Sequence, residues 1–263
     1  MTLQLPIFGP SDNPGPSFFE LLRRTGDLPV PTSANGRIEV PHATTCVALR
    51  YDGGVLVAGD RRATMGNRIS HRGMEKVVQT DTHSAVAISG AASAATEMIK
   101  IFSLELEHYE KMEGRQLTLE GKANQLSNMV RANLPAAMQG LGVVMPLFAG
   151  FDLQRGEGRL WDYDAAGGRY EEREYVSIGS GTDYAGTVVK VGWRSTLTAD
   201  EAVKLACRAL WEAADADSAT GGPDSLRGVY PIVATIDATG WTRINDAVLA
   251  GVFAAIDEEV RTR

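Results

Sequence analysis

Two periods of apolar patterning alternate along the chain from residue 45. Thr45, Val47, Leu49 and Tyr51 interleave with Cys46, Ala48 and Arg50, and after Asp52-Gly53-Gly54 an apolar run resumes at Val55 and closes at Gly59. This pattern reads as two strands joined by a tight hairpin. A short apolar run opens at Lys76-Val77-Val78, Gly66 and Gly73 mark irregular backbone before it, and a further strand is expected from His83 to Gly90. The period then lengthens. Ala91, Ala95, Met98, Phe102, Leu106 and Tyr109 step by four and three toward Gly114, and Leu119, Ala123, Leu126, Val130 and Leu134 repeat the stripe from Thr118, a natural N-cap, to Pro135. Two successive amphipathic helices follow from this, with core packing as their role.

Strands return at Pro146–Phe151, Gly158–Tyr163 and Tyr175–Ile178, a helix is expected from Thr198 to Ala214 with Ala202, Leu205, Ala206, Ala209 and Leu210 inward, and strands close the pattern at Val229–Asp237 and Trp241–Asn245. Runs of strands followed by runs of helices point to an α+β fold with layered antiparallel sheets.

The first 43 residues obey neither period. They hold seven of the eleven prolines, a density that prevents regular helix or central strand. One helix signal survives there: Ser17-Phe18-Phe19-Glu20 has capping-box spacing, Leu21-Leu22-Arg23-Arg24 continues it, and Gly26 can end it. Its apolar side chains suit docking, so a removable segment with one docking helix fits better than an ordinary disordered tail. The expected division is therefore 1–43 as a pro-segment and 44–263 as the folded domain.

The chain has 263 residues, 44% apolar and 22% charged, and a formal net charge of -7. Those are the proportions of a globular protein with a sizeable core, and the acidic balance argues against nucleic acid or anionic membrane as the main partner. Cys46 and Cys207 sit in apolar or helical patterns without a CxxC, which suits reduced core residues and a cytoplasmic location. Neither a secretory signal nor an apolar run long enough to span a bilayer is expected. The four histidines, 42, 71, 83 and 108, lack metal-ligand spacing, so no metal site is expected. Gly179-Ser180-Gly181-Thr182 looks like half a phosphate loop, but the next glycine is Gly186, and the dinucleotide spacing fails.

Candidate chemistry concentrates at Thr44. A threonine hydroxyl is a weak nucleophile, and one way to activate it is to make the residue a chain terminus whose own amine serves as base. That amine titrates at about 7.7 to 8.0 in peptides, and a nearby ammonium lowers it. Pairing of the first two strands brings the start of one beside the end of the other, so Asp60, 16 residues on, becomes a spatial neighbour of Thr44. Lys76 lies 32 residues on. On spacing alone, Asp60-Arg61-Arg62 reads equally as a surface ion pair and Lys76 as a solvated lysine. Gly90, where a strand gives way to a helix, is a suitable place for an N–H to face a developing oxyanion.

Taken together, Thr44-Thr45-Cys46-Val47-Ala48-Leu49, Gly59-Asp60-Arg61-Arg62, Lys76, Ser89-Gly90-Ala91-Ala92, Gly179-Ser180-Gly181 and Asp217-Ser218-Ala219-Thr220-Gly221-Gly222 resemble the β subunits of the 20S proteasome. The leader around Ser17–Leu22, Glu107-His108-Tyr109-Glu110-Lys111 and Ala219-Thr220-Gly221-Gly222-Pro223-Asp224 are similar to the actinobacterial branch. The resemblance implies a four-layer αββα sandwich of the N-terminal-nucleophile hydrolase class. It implies cleavage between Ala43 and Thr44, Thr44 as nucleophile with its freed amine as base, Lys76 lowering the amine's pKa, and Asp60 holding Lys76. Gly90 would donate to the oxyanion, and Ser180, Asp217 and Thr220 would form a supporting network, with Thr220 where serine is common. Thr64 and Ala92 would hydrogen-bond an extended peptide, and Ala63, Ile88 and Ala92 would line an apolar first specificity pocket. Sevenfold β rings stacked in pairs, flanking α-subunit rings, an ATP-dependent unfoldase and unfolded polypeptides carrying a ubiquitin-like tag are implied as partners, with no cofactor. A small-amide hydrolase of the same nucleophile class, a two-ring bacterial peptidase and a silent ring subunit are the competing readings.

Overall fold

In the computed structural model, residues 44–65, 68–139 and 142–262 are described, and all belong to a compact unit that begins at Glu39. The expected helix at Ser17–Leu22 and the residues His42 and Ala43 lie outside the described residues.

One sheet has the order β10-β1-β2-β11-β12, formed by Tyr175–Gly179, Thr45–Tyr51, Gly54–Gly59, Ile232–Asp237 and Gly240–Arg243. The other has the order β5-β6-β7-β8-β9, formed by Val77–Asp81, Ser84–Gly90, Val144–Asp152, Glu157–Tyr163 and Arg169–Glu172. All pairings in both are antiparallel. Helices α1 (Ala92–Glu113) and α2 (Leu119–Met138) cover the second sheet, while α3 (Thr182–Gly192), α4 (Ala199–Ala216) and α5 (Asp246–Arg261) cover the first. The architecture is the expected four-layer αββα sandwich.

Three apolar clusters separate the four layers, and β1 explains how. Its alternation is large against small rather than apolar against polar. Val47, Leu49 and Tyr51 enter the cluster under α3–α5, whereas Cys46 and Ala48 enter the cluster between the sheets. Strand β6 repeats the scheme, with Ala85 and Ala87 toward the other sheet and Val86 and Ile88 toward α1 and α2. Small inner residues let two sheets close face to face, while each strand stays buried on both sides.

Several elements depart from the sequence expectation. Helix α2 runs past Pro135 to Met138. The proline costs the helical bond to the Arg131 carbonyl, yet the last turn continues beyond it, and Gln139 N–H closes the end on Ala136 O at 3.2 Å. A separate antiparallel pair is formed by β3 (Ala63–Met65) and β4 (Arg68–His71). Strand β9 and helix α3 were not expected, and the chain does not end in strands: Asn245 caps α5 by accepting from Ala247 N–H, and Leu249, Phe253 and Ile256 bury its inner face.

Candidate active site

Thr44 stands just before β1 and is buried. Antiparallel register sets Cys46 opposite Gly59, so the end of β2 delivers Asp60 to the start of β1. Thr45 also pairs with Gly179 on the other side, so β10 delivers Ser180 to the same point. Ser180 N–H donates to Thr44 O at 2.8 Å. This contact requires Gly179: its φ is +102°, and a Cβ there would lie 1.8 Å from the Thr44 carbonyl oxygen.

Asp60 and Lys76 are not a surface pair, since both side chains are 0% exposed. Lys76 Nζ lies 2.6 Å from Asp60 Oδ1, and the same oxygen accepts Thr45 N–H at 2.9 Å. The lysine therefore sits against the peptide unit that joins Thr44 to Thr45. Asp60 Oδ2 accepts Arg62 N–H at 2.9 Å and Gly221 N–H at 2.8 Å. Four donors on one carboxylate stabilise its charge where water is excluded.

The loop after α4 supplies the remaining groups. Asp217 Oδ2 accepts the hydroxyls of Ser180 and Thr220, both at 2.6 Å, and Oδ1 accepts Ala219 N–H at 3.1 Å. Burial pushes the Asp217 carboxyl up, but these donors and the charge of Lys76 outweigh it and hold the group below its ordinary value. Ser180, Asp217 and Thr220 are thus brought together beside Thr44.

The turn from β10 into α3 looks like half a phosphate loop in sequence, but its N–H groups are committed elsewhere. Ser180 N–H goes to Thr44 O, and Gly181 N–H goes to Thr45 Oγ1 at 3.0 Å. Neither points at a phosphate.

Gly90 ends β6 with φ +98°, and a Cβ on it would meet Val143 O at 2.1 Å. Ala91 N–H donates to that same carbonyl at 2.8 Å, so the strand turns sharply into α1, on which Ala92 is the first residue. Ala63 and Thr64 belong to β3, where Ser70 Oγ donates to Ala63 O at 3.0 Å. Ile88 is nearly fully buried in the cluster under α1, and Met74 and Val78, which the sequence had not singled out, pack against that cluster. Other contributors missed from sequence are Thr45, Gly179 and the N–H groups of Arg62 and Gly221. All four lie inside motifs already quoted, but a backbone donor carries no side-chain signature.

Cys46 Sγ donates toward Ile88 O at 3.7 Å, and Ile88 N–H donates to Lys76 O at 3.0 Å. Burial pushes the Cys46 thiol up to about 12, the nearby Lys76 charge opposing, so no thiolate competes with the hydroxyl of Thr44. Among the described residues, no group of His, Cys, Asp and Glu side chains could hold a metal ion.

What the arrangement can do is limited by its charges. A buried ammonium beside the peptide of Thr44 would favour the neutral form of any amine placed there, and Asp217, bonded by the Ser180 and Thr220 hydroxyls, lies on the same side of the fold as an acceptor.

A family model described as proteasome subunit matches residues 40–226. The chain is 56% identical to a proteasome subunit beta of Acidimicrobium ferrooxidans, covering 99% of this chain and 96% of that one. It is 54% identical to a protein of the same name from Acidothermus cellulolyticus, over 81% of this chain and 75% of the relative. The same identity holds for one from Streptomyces griseus, over 80% and 75%.

Proposed function

Because the chain belongs to the proteasome subunit family, we propose that it is a threonine endopeptidase, the catalytic β subunit of a 20S core particle, made active by cleavage before Thr44. The observation that carries this reading is the single oxygen of Asp60 that receives both the Lys76 ammonium and the N–H of Thr45.

In the uncut chain residue 44 has no amine, because its nitrogen is an amide. Thr44 Oγ attacks the Ala43 carbonyl, the Ala43–Thr44 C–N bond breaks as the acyl group passes to oxygen, and water hydrolyses the resulting ester. The products are a carboxylate on residue 43 and a free amine on residue 44. Residues 1–43 are then the removed segment and 44–263 the catalytic domain.

In the mature form the amine takes the Thr44 hydroxyl proton while Oγ attacks a substrate carbonyl. Gly90 N–H donates to the oxyanion, a kind of contact worth roughly 2.7 to 4 kcal/mol where one donor has been removed. The proton then passes to the leaving amine as the peptide C–N bond breaks, and water releases the acyl group with the amine acting again as base. Lys76 keeps that amine neutral by its charge, Asp60 fixes Lys76, and Ser180, Asp217 and Thr220 hold the acceptors around it. Thr64 and Ala92 bind the extended peptide through their backbones. Ala63, Ile88 and Ala92 line the first specificity pocket.

Family membership implies assembly into proteasome core particles. The finer reading is heptameric β rings stacked in pairs between α-subunit rings, fed by an ATP-dependent unfoldase with polypeptides bearing a ubiquitin-like tag, in the cytoplasm. Among the described residues no helix is long and apolar enough to cross a membrane.

The test is co-expression with the α partner, followed by intact mass and N-terminal sequencing. Wild type should begin at Thr44 and cleave peptides, while Thr44→Ala should assemble, keep residues 1–43 and cleave nothing. An active, shortened Thr44→Ala particle would overturn the mechanism.

A further inference from the structure

Thr45 occupies the face of β1 that continues through Val47, Leu49 and Tyr51 into the apolar cluster beneath α3–α5. Its side chain is fully buried, and packing alone would take an isosteric valine there. Its hydroxyl is nevertheless used twice. Gly181 N–H donates to it at 3.0 Å, and it lies 2.5 Å from Thr220 Oγ1.

Proton counting fixes the direction of the second contact. Each hydroxyl has one proton to give. Thr220 spends its proton on Asp217 Oδ2 at 2.6 Å, because a carboxylate can only accept. Thr45 must therefore be the donor to Thr220. The result is a one-way chain: Gly181 N–H to Thr45, Thr45 to Thr220, Thr220 to Asp217. Ser180 donates its proton to the same Asp217 oxygen at 2.6 Å, and the longer 3.4 Å approach of its Oγ to the Thr44 carbonyl oxygen, also as donor, keeps the hydroxyl beside residue 44. The distance from Gly181 to Thr45 is itself protected, since a Cβ at Gly181 would stand 2.4 Å from Thr45 Oγ1.

We propose that Thr45 is a positioning residue: by donating to Thr220 its hydroxyl polarises and holds in place the Thr220–Asp217–Ser180 group beside the amine of Thr44. The proposal rests on the reading of Thr44 as nucleophile. Each donor in such a chain polarises the next, so loss of the first weakens the bond to the carboxylate at the end. The charge acting on Asp217 is that of Lys76, itself paired with Asp60, and Arg62 Nη1 donates to the neighbouring Ser218 O at 3.0 Å. None of these is altered by a change at Thr45.

The test compares Thr45→Val and Thr45→Ser in the assembled, processed particle. Thr45→Val should lower kcat about fivefold, the worth of one buried hydrogen bond, with KM little changed. The acid limb of its kcat profile should move to higher pH, because a carboxylate bonded less strongly by Thr220 attracts the protonated Thr44 amine more strongly and raises the pKa of that base. Thr45→Ser keeps the donor and should restore both. A Thr45→Val particle with wild-type kcat and acid limb overturns the proposal, and so does a loss that Thr45→Ser does not repair. Thr45→Ala removes the same donor without adding bulk, so it serves if Thr45→Val does not assemble; failure of both to assemble overturns the proposal, assigning the hydroxyl to folding alone. Failure of the underlying reading is separable, because it appears as a wild-type particle that keeps residues 1–43 or a Thr44→Ala particle that works.

Discussion

Asp60 and Lys76 form a buried ion pair, but the two partners are not equally replaceable. Both side chains are fully buried, so solvent does not screen their interaction. Removing one member of such a pair costs about 3 to 5 kcal/mol, because the other charge is left uncompensated. Lys76→Met leaves a carboxylate that still accepts N–H groups from Thr45, Arg62 and Gly221, so the cost should fall near the lower end, about 3 kcal/mol. Asp60→Ala leaves the ammonium and also orphans those three N–H groups, each costing about 1 kcal/mol or more if water does not reach it. The expected cost is therefore above about 5 kcal/mol, a large part of the total stability of an ordinary domain. Urea unfolding of the purified chain, followed by tryptophan fluorescence, gives both values from the midpoint and slope. If Lys76→Met proves as costly as Asp60→Ala, the claim that this carboxylate organises the backbone around it is wrong.

Three further outcomes follow from the same geometry. Gly179→Ala should cost at least about 3 kcal/mol, combining a positive φ with a backbone clash, whereas Gly156→Ala has a positive φ and open space and should cost only about 1 kcal/mol; equal unfolding midpoints would remove the clash from the account. The depressed Asp217 carboxyl contributes stability that is complete above the ordinary carboxylate range and is lost as pH falls through its folded value, so acid titration of stability should flatten in Asp217→Asn. Parallel curves for the two proteins would contradict it. Cys46 and Cys207, both pushed up to about 12 chiefly by burial, should resist a thiol reagent at about pH 8 until the chain unfolds, and prompt labelling of the native protein would mean that one of them is accessible.

The parts legible in the sequence were those with a local signature. The hairpin of β1 and β2 was readable from Asp52-Gly53-Gly54, and α1 and α2 from their stripes, Thr118 and Gly114. The meeting of Asp60 with the start of β1 followed from hairpin register alone. Lys76 did not, because its burial depends on the second sheet closing over it, which no local pattern encodes. The β3–β4 pair escaped because Arg68–His71 is exposed throughout, so no face of it is marked by apolar residues. Helix α5 was readable in principle: Asn245, Leu249, Phe253 and Ile256 are a cap and a stripe, lost when the strand pattern was carried through Asn245. Pro135 misled in the opposite direction: it signals a helix stop in sequence, but α2 keeps it within its last turn. The hydroxyl of Thr45 looked like ordinary strand chemistry, and only its partner 175 residues away gives it meaning.

That separation also bears on timing. Gly221, which binds Asp60 across 161 residues of chain, leaves the ribosome long after Thr44, Asp60 and Lys76 have emerged. A growing chain therefore carries its hydroxyl, carboxylate and lysine for much of its synthesis without the Gly221 N–H that completes the set of donors on Asp60. On the proposed reading of Thr44 as nucleophile, the cutting site is completed only once the loop holding Asp217, Thr220 and Gly221 has been made, and an unfinished molecule would have no competent means of cutting itself or its neighbours.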